Sequence, residues 1–133
     1  MAQENCYTTP MITTTEIEQA QKSWGNSVVH VGEAADWNTA HARAVELVER
    51  HYRLDGSLLF CPTKAAEIQF RNHIEAAVSY FVGNNNAFPE DKGFALEPWT
   101  SVRFDNTGIA IRGETGIAMG NYYFGKSDGS EVK

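Results

Sequence analysis

The apolar positions of this chain follow a helical period in its first half and a strand period near its end. Ile17, Ala20, Trp24, Val28 and Val31 recur at three and four residues, which predicts one buried helical face. Thr15 and Glu18 fit a capping box at its start. Gly25 weakens the helix and Gly32 is placed to end it. Asp36 is a candidate N-cap for a second helix, with the stripe Trp37, Ala40, Ala44, Leu47 and Val48 running to about His51. After the Asp55-Gly56 turn, residues 57–61 form a short apolar run that reads as a buried strand broken by Pro62. Ala66, Ile68 and Phe70 then alternate with Glu67, Gln69 and Arg71, the period of a half-buried strand. Asn72 can cap a third helix whose stripe is Ile74, Ala77, Val78 and Phe81.

The Gly-, Pro- and Asn-rich stretch 82–93 reads as a loop, and everything after it carries strand signals. "PWTSVRF" predicts a strand, "DNTG" a turn, "IAIRG" a strand, and "TGIAMGNYYFG" a long strand with internal glycines. "KSDG" is another turn and "SEVK" begins a further strand. Helices followed by antiparallel strands predict an α+β domain spanning residues 13–133, with residues 1–12 as a mobile tail. Bends at Gly116, Gly120 and Gly125 would curl a strongly curved sheet into a cone around a pocket, with the helices packed on one face. Alternate residues of the last long strand are apolar on both faces: Ile117, Met119 and Tyr123 on one, Ala118, Tyr122 and Phe124 on the other. The outer face therefore predicts a homodimer.

Charge narrows the function classes. The net charge of −6 over 133 residues, without a Lys/Arg cluster, argues against nucleic acid and against anionic membranes. No apolar run approaches the ~20 residues of a membrane span, and the start carries no secretory pattern. Cys6 and Cys61 cannot build a disulfide framework and fit no zinc spacing, so they read as reduced thiols of a cytoplasmic protein. His30, His41, His51 and His73 are scattered and form no ligand motif, so neither metal nor cofactor is expected. A nucleophile elbow is absent, and Gly113–Gly116 opens no helix, so no dinucleotide fingerprint stands.

Two hydroxyls stand out. Tyr80 lies about 120° from Ile74 on a helical wheel, flanking the stripe rather than belonging to it. A tyrosine there can bury its ring and turn its hydroxyl into a cavity. Thr63, just after Pro62, can point the same way. A phenol bonded to backbone and an ordinary edge threonine would give the same pattern, and the pattern alone leaves both readings open.

The stretches P-T-K-A-A-E-I-Q-F-R (62–71), S-Y-F-V-G (79–83) and A-M-G-N-Y-Y-F (118–124) are most similar to the iota-class carbonic anhydrase family, and the similarity runs from about Thr14 to Lys133. The resemblance implies an NTF2-like cone, of the SnoaL-like or calmodulin-kinase-association-domain type. It also implies metal-independent hydration of carbon dioxide to bicarbonate. Carried over, the family's threonine is Thr63 and its tyrosine Tyr80, as catalytic and substrate-binding groups. Phe60, Phe81, Trp99, Met119 and Tyr123 are the expected apolar lining. The family pattern continues with two more strands, the last carrying a His-His-Ser-Ser stretch that contributes a serine, whereas this sequence stops at "GSEVK". The expectation is a chain shortened relative to the working protein, or one completed by a partner's strands. A non-catalytic ligand-binding or association domain is the alternative the fold type leaves open, and an isomerase or dehydratase chemistry would need an Asp-His pair that the sequence does not offer.

Overall fold

The computed structural model describes residues 11–56 and 58–133, so the reading of Cys6, of most of the N-terminal tail and of Ser57 lies outside the described residues. Three helices, α1 (Thr14–Gly32), α2 (Trp37–His51) and α3 (Ile74–Val82), precede three strands, β1 (Ser101–Arg112), β2 (Thr115–Gly125) and β3 (Glu131–Val132). The strands form one open antiparallel sheet in the order β1-β2-β3, giving the α+β architecture expected from the element order.

The first helix begins two residues earlier than its caps suggest. Thr13 is the N-cap and Glu16 completes the capping box, each accepting from the other's backbone N–H. Both pairs read T-x-x-E, and the geometry selects the earlier one. Ile12 is tied down, its N–H donating to the Gly113 carbonyl. Gly25, expected to be a weak point, is a contact point. A Cβ there would stand 2.8 Å from the Val102 Cβ, so α1 crosses β1 at closest approach through this glycine. Helix α2 is capped by Asp36 as expected and buries Ala40, Ala44, Leu47 and Val48. The third helix is capped by His73 rather than Asn72; its Nδ1 accepts from the Ala76 N–H. From Ala76 to Val82 every residue of α3 is buried, including Ser79 and Tyr80, so its apolar stripe understates its burial.

Two expectations about strands fail. "DNTG" is no turn: β1 runs unbroken through it, with a bulge between Asn106 and Gly108. One extra residue shifts the inward set from Val102, Phe104 and Asn106 to Ile109 and Ile111, and that phase change reads in sequence as two strands. Asn106 at the bulge exchanges two amide hydrogen bonds with Gln21 of α1. The segments 58–61 and 66–71 form no strands. In 66–71 the residues expected to point inward are exposed, Phe70 at 72%, while Arg71, expected to point outward, is fully buried.

Arg71 explains the reversal. Its guanidinium donates to Ile68 O (2.7 Å), Ala76 O (2.9 Å) and both oxygens of Asp91 (2.8 and 2.9 Å). It also lies over the Phe88 ring. Nearby, the Glu90 carboxylate accepts from the N–H groups of Ala66, Glu67 and Ile68, so this backbone is satisfied by a side chain instead of a ladder. A buried guanidinium is tolerated when its donors are matched in this way. The loop 62–72 is thereby fastened to α3 and to the 83–93 loop, with Thr63 at its start.

The core lies between the helices and the inner face of the sheet, around Val28, Val31, Leu47, Val78, Phe81, Trp99 and Phe124. Full burial of one such side chain contributes about 1.5–3 kcal/mol.

Candidate functional site

At the open end of this core the aromatic side chains leave a cavity of about 60 Å³. Its walls are Trp24 from α1, Phe60 before the loop, Tyr80 and Phe81 from α3, Phe94, and Tyr122 and Phe124 from β2. Phe60 stacks on Phe81 (5.5 Å between centroids), Tyr80 on Phe94 (5.5 Å) and Trp24 on Tyr122 (5.8 Å). Thr63 and Lys64 close one side and Val132 and Lys133 another. A space of this size is a niche for a molecule of few atoms.

The two hydroxyls singled out in the sequence, Thr63 and Tyr80, are brought to this one cavity, together with Phe60 and Phe81. The other three expected lining residues are not. Trp99 is buried behind Phe94, donating its indole N–H to the Phe94 carbonyl, and borders a larger neighbouring cleft with Tyr80 and Lys64. Met119 and Tyr123 face the outer side of β2, Met119 67% exposed and Tyr123 beneath the Arg103 guanidinium. Strand alternation puts Tyr122 and Phe124 inward instead. These two are among the lining residues that the sequence reading missed, as are Trp24, Phe94, Lys64 and Lys133. Period-2 counting back from the buried Phe124 would have found Tyr122.

Tyr80 is 9% exposed. Burial pushes its phenol up to about 12, with the nearby Tyr122 and Asp91 adding to the rise. The Lys64 backbone amide and the Arg71 charge act in the opposite direction. The phenol also lines the cavity. A phenol raised in this way keeps its proton near pH 7. Thr63 Oγ1 lies 3.3 Å from the Tyr122 hydroxyl.

A second, more open cleft of about 380 Å³ shares Trp24, Phe60, Pro62, Thr63 and Tyr122 with the cavity and extends to Gln21, His51 and Tyr52. Burial, with Arg50 adding to it, holds His51 below the ordinary imidazole pKa, and its Nε2 lies 3.3 Å from Ser27 Oγ. Burial also pushes the Tyr52 phenol up to about 12 although it accepts from the Trp24 indole N–H. Among the described residues no three His, Cys, Asp or Glu side chains are gathered as a metal site would need, and no helix is long and apolar enough to cross a membrane. Cys61 is an exposed free thiol.

The structure is thus an α+β domain with an aromatic cavity edged by the hydroxyl-bearing residues Thr63, Tyr80 and Tyr122. The chain belongs to the metal-independent carbonic anhydrase family, whose model matches residues 15–133. It is similar to the metal-independent carbonic anhydrase of Nostoc sp. strain PCC 7120, with 41% identity over 115 residues, 83% of this chain. The chain spans 56% of that relative's length. Among solved structures it is similar to an iota-carbonic anhydrase from a cyanobacterium, complexed with bicarbonate. The TM-score is 0.87 at 38% identity, covering 92% of this chain and 77% of the other.

Proposed function

We propose that this protein is a carbonic anhydrase, a lyase that reversibly hydrates carbon dioxide to bicarbonate in the cavity between α3 and the sheet. The observation that carries the reading is the convergence of Thr63 and Tyr80 on one aromatic niche of about 60 Å³, in a chain of this family. The bicarbonate bound by the similar cyanobacterial enzyme supports the choice of ligand.

Carbon dioxide rests against Phe60, Phe81 and Phe124. A water oxygen attacks its carbon, one C=O electron pair moves onto oxygen, and one water proton leaves, giving bicarbonate and a proton. Charge develops on the carbon dioxide oxygens, where Tyr80 and Thr63 donate hydrogen bonds that strengthen as the anion forms. Lys64 and Lys133 line the same cavity and favour the negative product. Tyr80 cannot take the proton, since it already holds its own. It passes to water in the adjoining cleft, where His51 is a neutral base.

The same reading places the fold in the NTF2-like group, and the protein in the cytoplasm, where an exposed reduced Cys61 is at home. It also makes the protein a homodimer through the outer face of β1 and β2, where Ile117 and Met119 are exposed.

Stopped-flow hydration of carbon dioxide, with and without a chelator, tests the function. The expected result is chelator-insensitive acceleration that falls roughly 10²–10³-fold in Tyr80→Phe, with Thr63→Val acting similarly and both variants folded. Hydration no faster than buffer alone would overturn the reading. A wild-type rate in folded Tyr80→Phe would make the phenol structural.

A further inference from the structure

Resting on this reading, we infer that Tyr122 is a positioning residue of the site, setting the direction of the Thr63 hydroxyl. Thr63 sits in an irregular, exposed segment, where no helix or strand fixes its side chain. The Tyr122 hydroxyl, 3.3 Å away, is a hydrogen-bond partner of its Oγ1. Tyr122 is held firmly. Its ring stacks on Trp24, meets Phe124 edge-on at 4.8 Å and contacts Phe104 at 5.7 Å. It projects from β2, directly opposite Phe104 of β1. A rigid phenol thus faces a threonine whose rotamer is otherwise loosely set.

Chemistry selects the direction of the bond. A hydroxyl pair can be arranged either way, and each arrangement leaves one proton free. If Thr63 gave its proton to Tyr122, it would present lone pairs to the forming bicarbonate, which repels them. With Tyr122 donating to Thr63, the threonine proton is free to point at the substrate oxygen. A hydroxyl that accepts one hydrogen bond is also a better donor in the next, by roughly 10–30% per bond. Tyr122 also borders both the cavity and the wetter cleft beside it, so its hydroxyl stands at the partition between them.

The test is a double-mutant cycle on the whole protein, read by hydration kinetics and by the line width of ¹³C-bicarbonate in NMR. Tyr122→Phe keeps the ring and its stacking, so the thermal melt reports whether packing survives. The expected result is roughly a tenfold loss in kcat/KM for Tyr122→Phe, corresponding to about 1.4 kcal/mol, with no further loss when it is added to Thr63→Val. Bicarbonate broadening should follow the same pattern. A wild-type rate in Tyr122→Phe, or an equal loss with and without Thr63, would overturn the inference while leaving the functional reading intact. Wild-type protein that neither hydrates carbon dioxide nor broadens the bicarbonate line would overturn both.

Discussion

Replacing Asp91 by Asn removes one charge from the fold and almost no volume. Arg71 is then left with no exposed surface, having lost the partner that receives two of its hydrogen bonds. Ser79 loses the anionic acceptor of its hydroxyl. Breaking a buried ion pair on one side costs about 3–5 kcal/mol. Two features favour the low end: Glu90 remains 3.8 Å from the guanidinium, and the asparagine oxygen can still accept one bond. A chain of 133 residues unfolds with an entropy of about 0.28 kcal/mol/K, so a loss of about 3 kcal/mol lowers Tm by about 11 °C. Calorimetry or a circular-dichroism melt at neutral pH measures this directly. The paired replacement Arg71→Met with Asp91→Leu should recover at least half of the loss, because no uncompensated charge stays buried. A fall below about 3 °C in Asp91→Asn would refute the reasoning, since it would mean that water reaches Arg71 in the native state. The loop carrying Thr63 is anchored by this network, so the hydration rate of Asp91→Asn should also fall at temperatures where the variant is still folded.

Alkaline titration followed by ultraviolet absorbance should find Tyr52 and Tyr80 ionising near 12, and each Tyr→Phe variant should remove one late-titrating phenol. The folded state holds these protons more tightly than the unfolded chain, whose tyrosines titrate near 10. Their contribution to stability is therefore full below pH about 10 and is lost as pH rises towards 12. Light scattering should find a dimer at micromolar concentration, and Met119→Lys on the outer face of β2 should shift it to monomer; a stable wild-type monomer would remove the interface.

The helices were the most legible part of the fold, because each carries its own punctuation. Asp36 caps α2 in the structure as in the sequence, and the stripe Ala40, Ala44, Leu47 and Val48 is the buried one. Errors of one or two residues arose where caps repeat: three consecutive threonines, Thr13 to Thr15, span the start of α1, and His73 follows Asn72. The strands were less legible because a bulge conceals continuity and because a satisfied loop imitates alternation. Nothing near Arg71 in sequence announces Asp91, twenty positions on in a polar loop, yet that pairing decides which way Phe70 and Arg71 face. The site divided the same way. Thr63, Tyr80, Phe60 and Phe81 belong to local motifs, while Tyr122 enters the cavity through strand register, which depends on the bulge and on the partner strand.

The raised phenol of Tyr80 sharpens what this cavity can and cannot do. The buried environment that keeps Tyr80 neutral also strengthens each hydrogen bond it donates, because few water dipoles compete there. A neutral donor stabilises an anion without attracting cations or protons when the niche is empty. On the proposed reading it also adds no charge of its own to the aromatic wall of Phe60, Phe81 and Phe124 against which carbon dioxide rests. The cost of that arrangement is the proton. Hydration releases one for each bicarbonate, and the donors around the cavity are already protonated. On the proposed reading, binding and proton removal must therefore be divided between two spaces: the aromatic niche for carbon, and the wetter cleft beyond Thr63 and Tyr122 for the proton. His51 suits the second space, because burial and Arg50 hold its imidazole neutral near pH 7 while leaving it a base. Thr63 and Tyr122 border both spaces, so on the proposed reading they divide the niche from the cleft that takes the proton.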